Sequence, residues 1–233
     1  MANAFFNRRS ASKAEMSFVD HLEELRWHII RSVLVILVLA VVIFINIQWV
    51  FDNIIAGPIN KDFVSYKAFC NLSHWLHLGE TLCLTPVVVE MQNTTFGGQF
   101  FSSFSIAFIG AFIAAAPYIF WELWRFIKPA LKANEVKNTR FIIFWVSFFF
   151  FLGAAFGYYI LGPFTFNFLA SFQISGSGMV TTRPTVSDYT DNLTNVILGC
   201  GIAFELPVMS YALTKIGFIT PSFLKRSRKY AFV

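Results

Sequence analysis

Acidic side chains gather just before the first long apolar run of the chain. Asp20, Glu23 and Glu24 lie within residues 18–26, and the chain from 29 to 45 then carries a single charge. Apolar residues at helical spacing accompany the acids, so we predict an amphipathic helix on a membrane surface that feeds a spanning helix. A membrane surface ordinarily gathers basic residues. Carboxylates at this position therefore suggest a partner that carries positive charge.

A further acid, Glu205, lies inside the last long apolar run, near mid-depth. A charged side chain there costs about 3 kcal/mol on insertion scales and normally faces the protein interior, a wet cavity or a partner. Pro207 cannot donate to the carbonyl of Ala203, so the helix is loosened beside the acid. Two interpretations stay open. Glu205 is either a protonated group bonded to a neighbouring helix, or a polar site for a partner helix or a proton relay.

The segment 122–140 carries a third acid of interest, Glu135, among basic residues. Spacing alone is compatible with a solvated loop acid paired with Lys132 or Lys137. Phe126 and two neighbouring tryptophans are typical of the aromatic belt at a membrane interface.

The composition indicates an all-α, polytopic helical membrane protein. Of the 233 residues 56% are hydrophobic, 30 are Phe and 13% are charged, whereas a soluble domain carries about 25% charge. Each of four apolar segments is close to the ~20 residues that cross the hydrocarbon core. These predicted spans are 29–50, 101–121, 141–161 and 193–213. Gly153 and Gly157 in the third should permit close helix packing.

The charge distribution predicts the orientation. Fifteen of the eighteen Lys and Arg residues lie in 1–31, 122–140 and 214–229, and only three lie in 51–100 and 162–192. By the positive-inside rule the N-terminus is cytoplasmic. The first apolar run is too long and too far from the start for a cleavable signal peptide. The predicted parts outside the spans are a tail and interfacial helix (1–28), external loops (51–100 and 162–192), a cytoplasmic loop (122–140), and a basic segment with the start of a fifth helix (214–233).

The longer external loop holds Cys70 and Cys83, with His74 and His77 between them. Cysteines that face an oxidising compartment most simply form a disulfide. A zinc site built from all four residues has suitable ligand types but an unfamiliar spacing. Otherwise the residues are incidental. The sequence contains no phosphate-binding loop, zinc-protease motif or nucleophile elbow, so we expect no enzyme activity, cofactor or resident metal.

Five short motifs in this order resemble the TatC family, whose members are the multispanning receptor subunits of the twin-arginine protein translocase. The motifs are His-Leu-Glu-Glu-Leu-Arg at 21–26, Ala-Gly-Pro at 56–58, Trp-Arg-Phe-Ile-Lys-Pro-Ala-Leu at 124–131, Phe-Glu-Leu-Pro at 204–207 and Lys-Arg-Ser-Arg-Lys-Tyr at 225–230. The family has six spans, so we expect the last two to be absent from this chain. The loop with Cys70 and Cys83 is longer than the resemblance leads us to expect.

The resemblance implies a receptor in the bacterial inner membrane that binds folded cargo proteins through their twin-arginine signal peptides. It implies TatA- and TatB-type single-span partners, further copies of the chain itself, contact with the lipid bilayer and transport driven by the proton gradient, with no role for nucleic acid. It assigns signal-peptide binding to Glu24, Glu135, Phe126, Arg26 and Pro58. It assigns partner docking to Glu205, with Pro207 beside it.

Two other classes of function are compatible with parts of the sequence. A proton-coupled small-solute transporter would use Glu205 as its relay, but it would need further polar residues in the spans, and the first three offer few. A purely structural membrane scaffold would not explain acids gathered at a basic surface.

Overall fold

The protein is described here from a computed structural model over residues 18–77, 79, 83, 91–127, 139–172 and 183–215. Every regular element in these ranges is helical, which confirms the predicted all-α class. The α-helices are α1 (Phe18–Ile45), α2 (Ile47–Val50), α3 (Val64–Trp75), α4 (Gly98–Ile127), α5 (Thr139–Phe156), α6 (Gly162–Ser171) and α7 (Val186–Lys215). Two π-helical turns (Phe51–Ile55 and Gly157–Leu161) and one 3₁₀ turn (Gly57–Ile59) connect them.

The described residues contain four helical stretches long and apolar enough to cross a membrane, as predicted. They are Leu22–Ile45, Gly98–Ile127, Ile142–Ser171 and Val186–Tyr211. The interfacial helix and the first span form one continuous helix, α1. Large apolar side chains such as Leu34 and Val41 are more than half exposed along α1. In a bilayer, lipid tails would cover these surfaces.

The first helix ends at Ile45, whereas we predicted a span that continues to residue 50. Asn46 leaves the helical conformation with φ −103° and ψ 24°. Its side-chain amide donates a hydrogen bond of 2.9 Å to the carbonyl of Val42. Asn side chains compete in this way with the backbone bonds of a helix. The regular helix is therefore interrupted at this residue, before α2 and the turn Phe51–Ile55.

The long helices pack in two pairs, α1 along α4 and α5 along α7, and α4 also contacts α5 and α7. Two glycines of the third span lie at the α5–α7 contact, where we predicted close packing. A Cβ atom on Gly153 would lie 2.5 Å from the carbonyl oxygen of Cys200, and one on Gly157 would lie 3.0 Å from Cα of Ile197. The two backbones therefore approach too closely for any larger residue.

The two ends of this helical bundle differ in chemistry. We call the end formed by the starts of α1 and α5 and the ends of α4 and α7 the basic end, because the Lys- and Arg-rich segments adjoin it. A buried cluster closes the other end and contains Ile55, Ile106, Phe166, Tyr189 and Leu193. Within it, the Tyr189 hydroxyl donates a 2.6 Å hydrogen bond to the carbonyl of Ile55. The turn after α2 is thereby fixed to α7.

Candidate functional site

Glu24 lies in the first turns of α1, at the basic end. Its side chain is 38% exposed, and its Oε1 atom lies 4.0 Å from Nε2 of His28, one helical turn further along. Its Oε2 atom is buried and has no hydrogen-bond partner within the described ranges. Since a carboxylate oxygen out of contact with water normally accepts a hydrogen bond, the unsatisfied atom is a ready acceptor for a donor from outside the described chain.

His28 joins Glu24 to a second carboxylate on another helix. Its Nδ1 atom makes a short contact with Oε2 of Glu122, near the end of α4, and both side chains are buried. The other oxygen of Glu122 accepts a 2.8 Å hydrogen bond from the hydroxyl of Tyr118, one turn earlier on α4. These four residues form one polar cluster, which we call the α1–α4 cluster.

Basic and aromatic groups surround the α1–α4 cluster. Arg31 and Arg125 are close enough to the Tyr118 phenol to act on it electrostatically. The Arg125 guanidinium also lies 5.8 Å from the ring centroid of Trp121, within the range of a cation–π contact. The ring of Phe126 meets the imidazole of His28 edge-on, with centroids 6.2 Å apart. The carboxylates of the α1–α4 cluster therefore lie next to a wall of aromatic side chains.

The structure brings together some of the predicted signal-binding residues. Phe126 lies beside the α1–α4 cluster through its contact with His28, and Arg26 is exposed on α1, two residues after Glu24. Pro58 is not part of this site, because its side chain is fully buried in the turn Gly57–Ile59, beyond the far end of α1. Glu135 falls outside the described residues.

Three members of the α1–α4 cluster, His28, Glu122 and Tyr118, were not among the functional residues predicted from the sequence. Two signals were available, since His28 follows Glu24 by four residues and Tyr118 precedes Glu122 by four. This spacing places side chains on one helical face. The pairing of His28 with Glu122 joins residues 94 apart in sequence, and no local pattern predicts it.

Glu205 lines a cavity of about 250 Å³ between α4, α5 and α7. The side chain is buried, and neither carboxyl oxygen has a hydrogen-bond partner among the described groups. The backbone of Phe150 lies nearby but does not meet the distance and angle of a hydrogen bond. The other residues lining the cavity are apolar: Phe112, Ala116, Ile119, Phe120, Phe150, Ile202, Leu206 and Met209. Pro207 is exposed on α7 nearby. The bond to a neighbouring helix that we considered for Glu205 is not found in the described part of the chain.

Cys70 on α3 is joined to Cys83 by a disulfide. His74 offers a ring nitrogen within 4.8 Å of both sulfur atoms. A thiol binds zinc as a thiolate, so the bonded pair is not a zinc-binding arrangement. Cys200 is a free cysteine, partly buried within α7.

Comparison with known proteins gives a consistent assignment. The family model described as "Sec-independent protein translocase protein (TatC)" matches residues 20–233. The TatC protein of Blattabacterium sp. subsp. Periplaneta americana is 41% identical over 222 residues, which cover 95% of this chain and 83% of that protein. The TatC protein of Campylobacter jejuni is 31% identical over 211 residues, which cover 91% of this chain and 76% of that protein.

Solved structures resemble the chain as well. A crystal structure of the twin-arginine translocase receptor TatC in DDM superposes with a TM-score of 0.70 and 30% sequence identity, over 90% of this chain and 82% of the other. The four-span helical bundle that carries these acidic groups therefore has a fold that is also seen in a translocase receptor. The match of a family model to nearly the whole sequence, together with these relatives, shows that the chain belongs to the TatC family of Sec-independent protein translocase proteins.

Proposed function

We propose that this chain is the membrane receptor of a twin-arginine translocation system and binds the signal peptides of folded cargo proteins at its basic end. The main support for this proposal is the environment of Glu24. Its carboxylate is partly exposed and has one buried oxygen with no hydrogen-bond partner among the described groups. The bilayer would be the bacterial inner membrane, with the N-terminus in the cytoplasm. The signal peptide would then reach Glu24 from the side on which cargo is made.

A guanidinium group suits this carboxylate better than an ammonium group. It is planar and permanently charged, and it can donate two parallel N–H groups to one carboxylate. One such contact at a partly hydrated surface contributes about 1–3 kcal/mol to the free energy of binding. Glu24 would receive one arginine of the pair, and Glu135, which follows α4 in the sequence, would receive the other.

The aromatic neighbours would contact the apolar part of the signal peptide. Phe126 lies at the end of α4, in edge contact with His28. A peptide whose arginine reaches Glu24 would place its following apolar residues along this wall. Arg26, exposed on the same helix, belongs to the proposed surface.

Peptide binding to single-site variants of the full chain tests this assignment. Glu24→Gln keeps the size of the side chain and removes its charge, so binding of a twin-arginine signal peptide should weaken roughly tenfold, equivalent to about 1.4 kcal/mol. Glu23→Gln is the matched control, since Glu23 is the exposed neighbouring acid on the same helix, and it should leave binding unchanged. Equal affinity for the original protein and the Glu24→Gln variant would contradict the assignment.

We further propose that Glu205 is where single-span partners of the TatA and TatB type dock, in a process driven by the proton gradient. The support is a buried, unsatisfied carboxyl group that faces an otherwise apolar cavity. A partner helix could fill the cavity with apolar side chains and satisfy Glu205 with one polar group. A solute pathway or a proton relay would need further polar groups next to Glu205, and the described lining of the cavity supplies none.

A further inference from the structure

We propose that His28 and Glu122 are positioning residues that fix the direction of the Glu24 carboxylate and thereby set the preference for arginine over lysine in the signal peptide. This inference rests on the proposed function, because it assumes that Glu24 receives a signal arginine. Neither residue would touch the peptide. Both would act through Glu24.

The geometry of the imidazole is the first observation. His28 presents Nδ1 to Oε2 of Glu122 and Nε2 to Oε1 of Glu24. An ionised carboxylate can only accept hydrogen bonds. A ring nitrogen attracts a carboxylate oxygen only when it carries hydrogen, so the proposed role requires a hydrogen on Nε2. The imidazole lies between the two carboxylates, in short contact with Glu122 through Nδ1 and 4.0 Å from Glu24 through Nε2.

The surroundings hold the imidazole of His28 in place. His28 is 6% exposed and Glu122 is 2% exposed. The Tyr118 hydroxyl occupies the second oxygen of Glu122, so that carboxylate cannot rotate freely. A side chain bonded to a buried partner on another helix is a rigid reference for a more exposed neighbour. Glu24 has one oxygen directed at this reference, and its side chain is 38% exposed and so within reach of a ligand.

The charges of the α1–α4 cluster support the same conclusion. Both oxygens of the buried Glu122 have partners, His28 and Tyr118, so this acid needs no cation from outside. Arg31 and Arg125 add positive charge around Tyr118. Glu24 is thus left as the single acid of the cluster that is open to a cation from outside.

Fixing the direction of the Glu24 carboxylate should affect the binding of arginine and the binding of lysine unequally. A guanidinium must align its two N–H groups with the plane of the carboxylate, whereas an ammonium group acts as a point charge and tolerates many directions. Loss of positioning should therefore weaken the binding of an arginine-pair peptide and leave that of a lysine-pair peptide almost unchanged. A general loosening of the fold would weaken both.

The test measures the dissociation constants of two signal peptides, one with the arginine pair and one with a lysine pair, for the full chain in detergent. The double variant His28→Gln/Glu122→Gln keeps a neutral hydrogen-bonding pair between α1 and α4 and removes the imidazole. We expect its preference for the arginine peptide to fall about fivefold, less than the roughly tenfold that one good contact provides. Its affinity for the lysine peptide should stay within about twofold. An unchanged preference, or an equal loss for both peptides, would overturn the proposal.

Two further variants separate the possible failures. Ser32→Ala is the control, because the Ser32 hydroxyl donates to the His28 carbonyl without reaching the ring, and it should keep the preference intact. Glu24→Gln tests the underlying function. If Glu24→Gln leaves arginine-peptide binding unchanged, the proposed function fails. If it weakens binding while the double variant keeps its preference, only the positioning role fails.

A measurement that needs no change at the α1–α4 cluster covers the case in which the double variant does not fold. Replacing His21, His74 and His77 with glutamine leaves His28 as the only histidine of the chain. Nitrogen NMR of that imidazole should show hydrogen on Nε2, the nitrogen that faces Glu24. A ring with a bare Nε2 would overturn the proposal, since it could not donate to Glu24.

Discussion

Three glutamates of this chain lie in three different environments. Glu24 is partly exposed with one unsatisfied oxygen, Glu122 is buried and fully bonded, and Glu205 is buried with neither oxygen bonded. A buried polar group without a partner is unfavourable unless a ligand or a partner protein supplies one. The unsatisfied groups are accordingly the ones we assign to binding, and the satisfied one to support.

At Glu205 we expect polarity to matter more than charge. Glu205→Gln retains donors and acceptors for a partner helix and should preserve much of the transport activity. Glu205→Ala removes them and should reduce co-purification of single-span partners more than signal-peptide binding. A proton relay would behave differently, because glutamine cannot exchange a proton. If the glutamine variant is as inactive as the alanine variant while the complex still assembles, the docking proposal fails.

The sequence predicted the unusual acids but not their partners. Glu24 and Glu205 are conspicuous because each lies in or beside a long apolar run, where a charge is costly. Glu122 is also beside such a run, yet its role depends on burial and on contact with His28 from another helix. That contact is set by how α1 crosses α4, and local patterns do not contain it.

At the level of helices, close packing of α5 on α7 holds together the half of the bundle that carries Glu205. The carbonyl of Cys200 and the Cβ atom of Phe204 lie within 3 Å of where a Cβ of Gly153 would be. In a bilayer, helices associate through such close backbone approach, because lipid provides no hydrophobic driving force between them. The glycine spacing predicted this contact correctly, whereas the break at Asn46 followed from one side-chain bond within an otherwise apolar run.

Gly153→Ala should therefore destabilise the folded protein by about 1–3 kcal/mol, the usual cost of overpacking. The measurement is the thermal unfolding midpoint of the purified chain in detergent. Gly199→Ala is the matched control on α7, where a new Cβ would meet nothing within 4 Å, and alanine favours a helix by up to about 1 kcal/mol. Equal midpoints for the two variants would show that the α5–α7 contact is looser than described.

Across the whole molecule, charge and disulfide chemistry lie at opposite ends. The Lys- and Arg-rich segments adjoin the basic end with Glu24, while the disulfide-bonded Cys70 follows the turn that packs into the opposite end. Disulfides persist in oxidising compartments, and basic segments stay in the cytoplasm. Both features therefore favour the same orientation, with the proposed signal site facing inward. Hydropathy and charge predicted four spans well, because span length and loop charge are properties of the chain alone.

Thiol labelling checks this arrangement. In denatured but unreduced protein isolated from cells, only Cys200 should react with a maleimide, and reduction should expose Cys70 and Cys83 as well. The physical reason is that an external loop meets an oxidising environment during assembly. Reaction at all three cysteines before reduction would contradict both the bond and the external location of the loop.

The most direct test of the receptor proposal is site-specific photo-crosslinking to a twin-arginine signal peptide in membranes. Probes at positions 24 and 135 should crosslink to a peptide that carries the arginine pair, and much less to one that carries two lysines. A probe at position 58, in the turn beyond the far end of α1, should give no crosslink to either. Crosslinking from position 58 but not from position 24, or equal crosslinking of both peptides at position 24, would contradict the account.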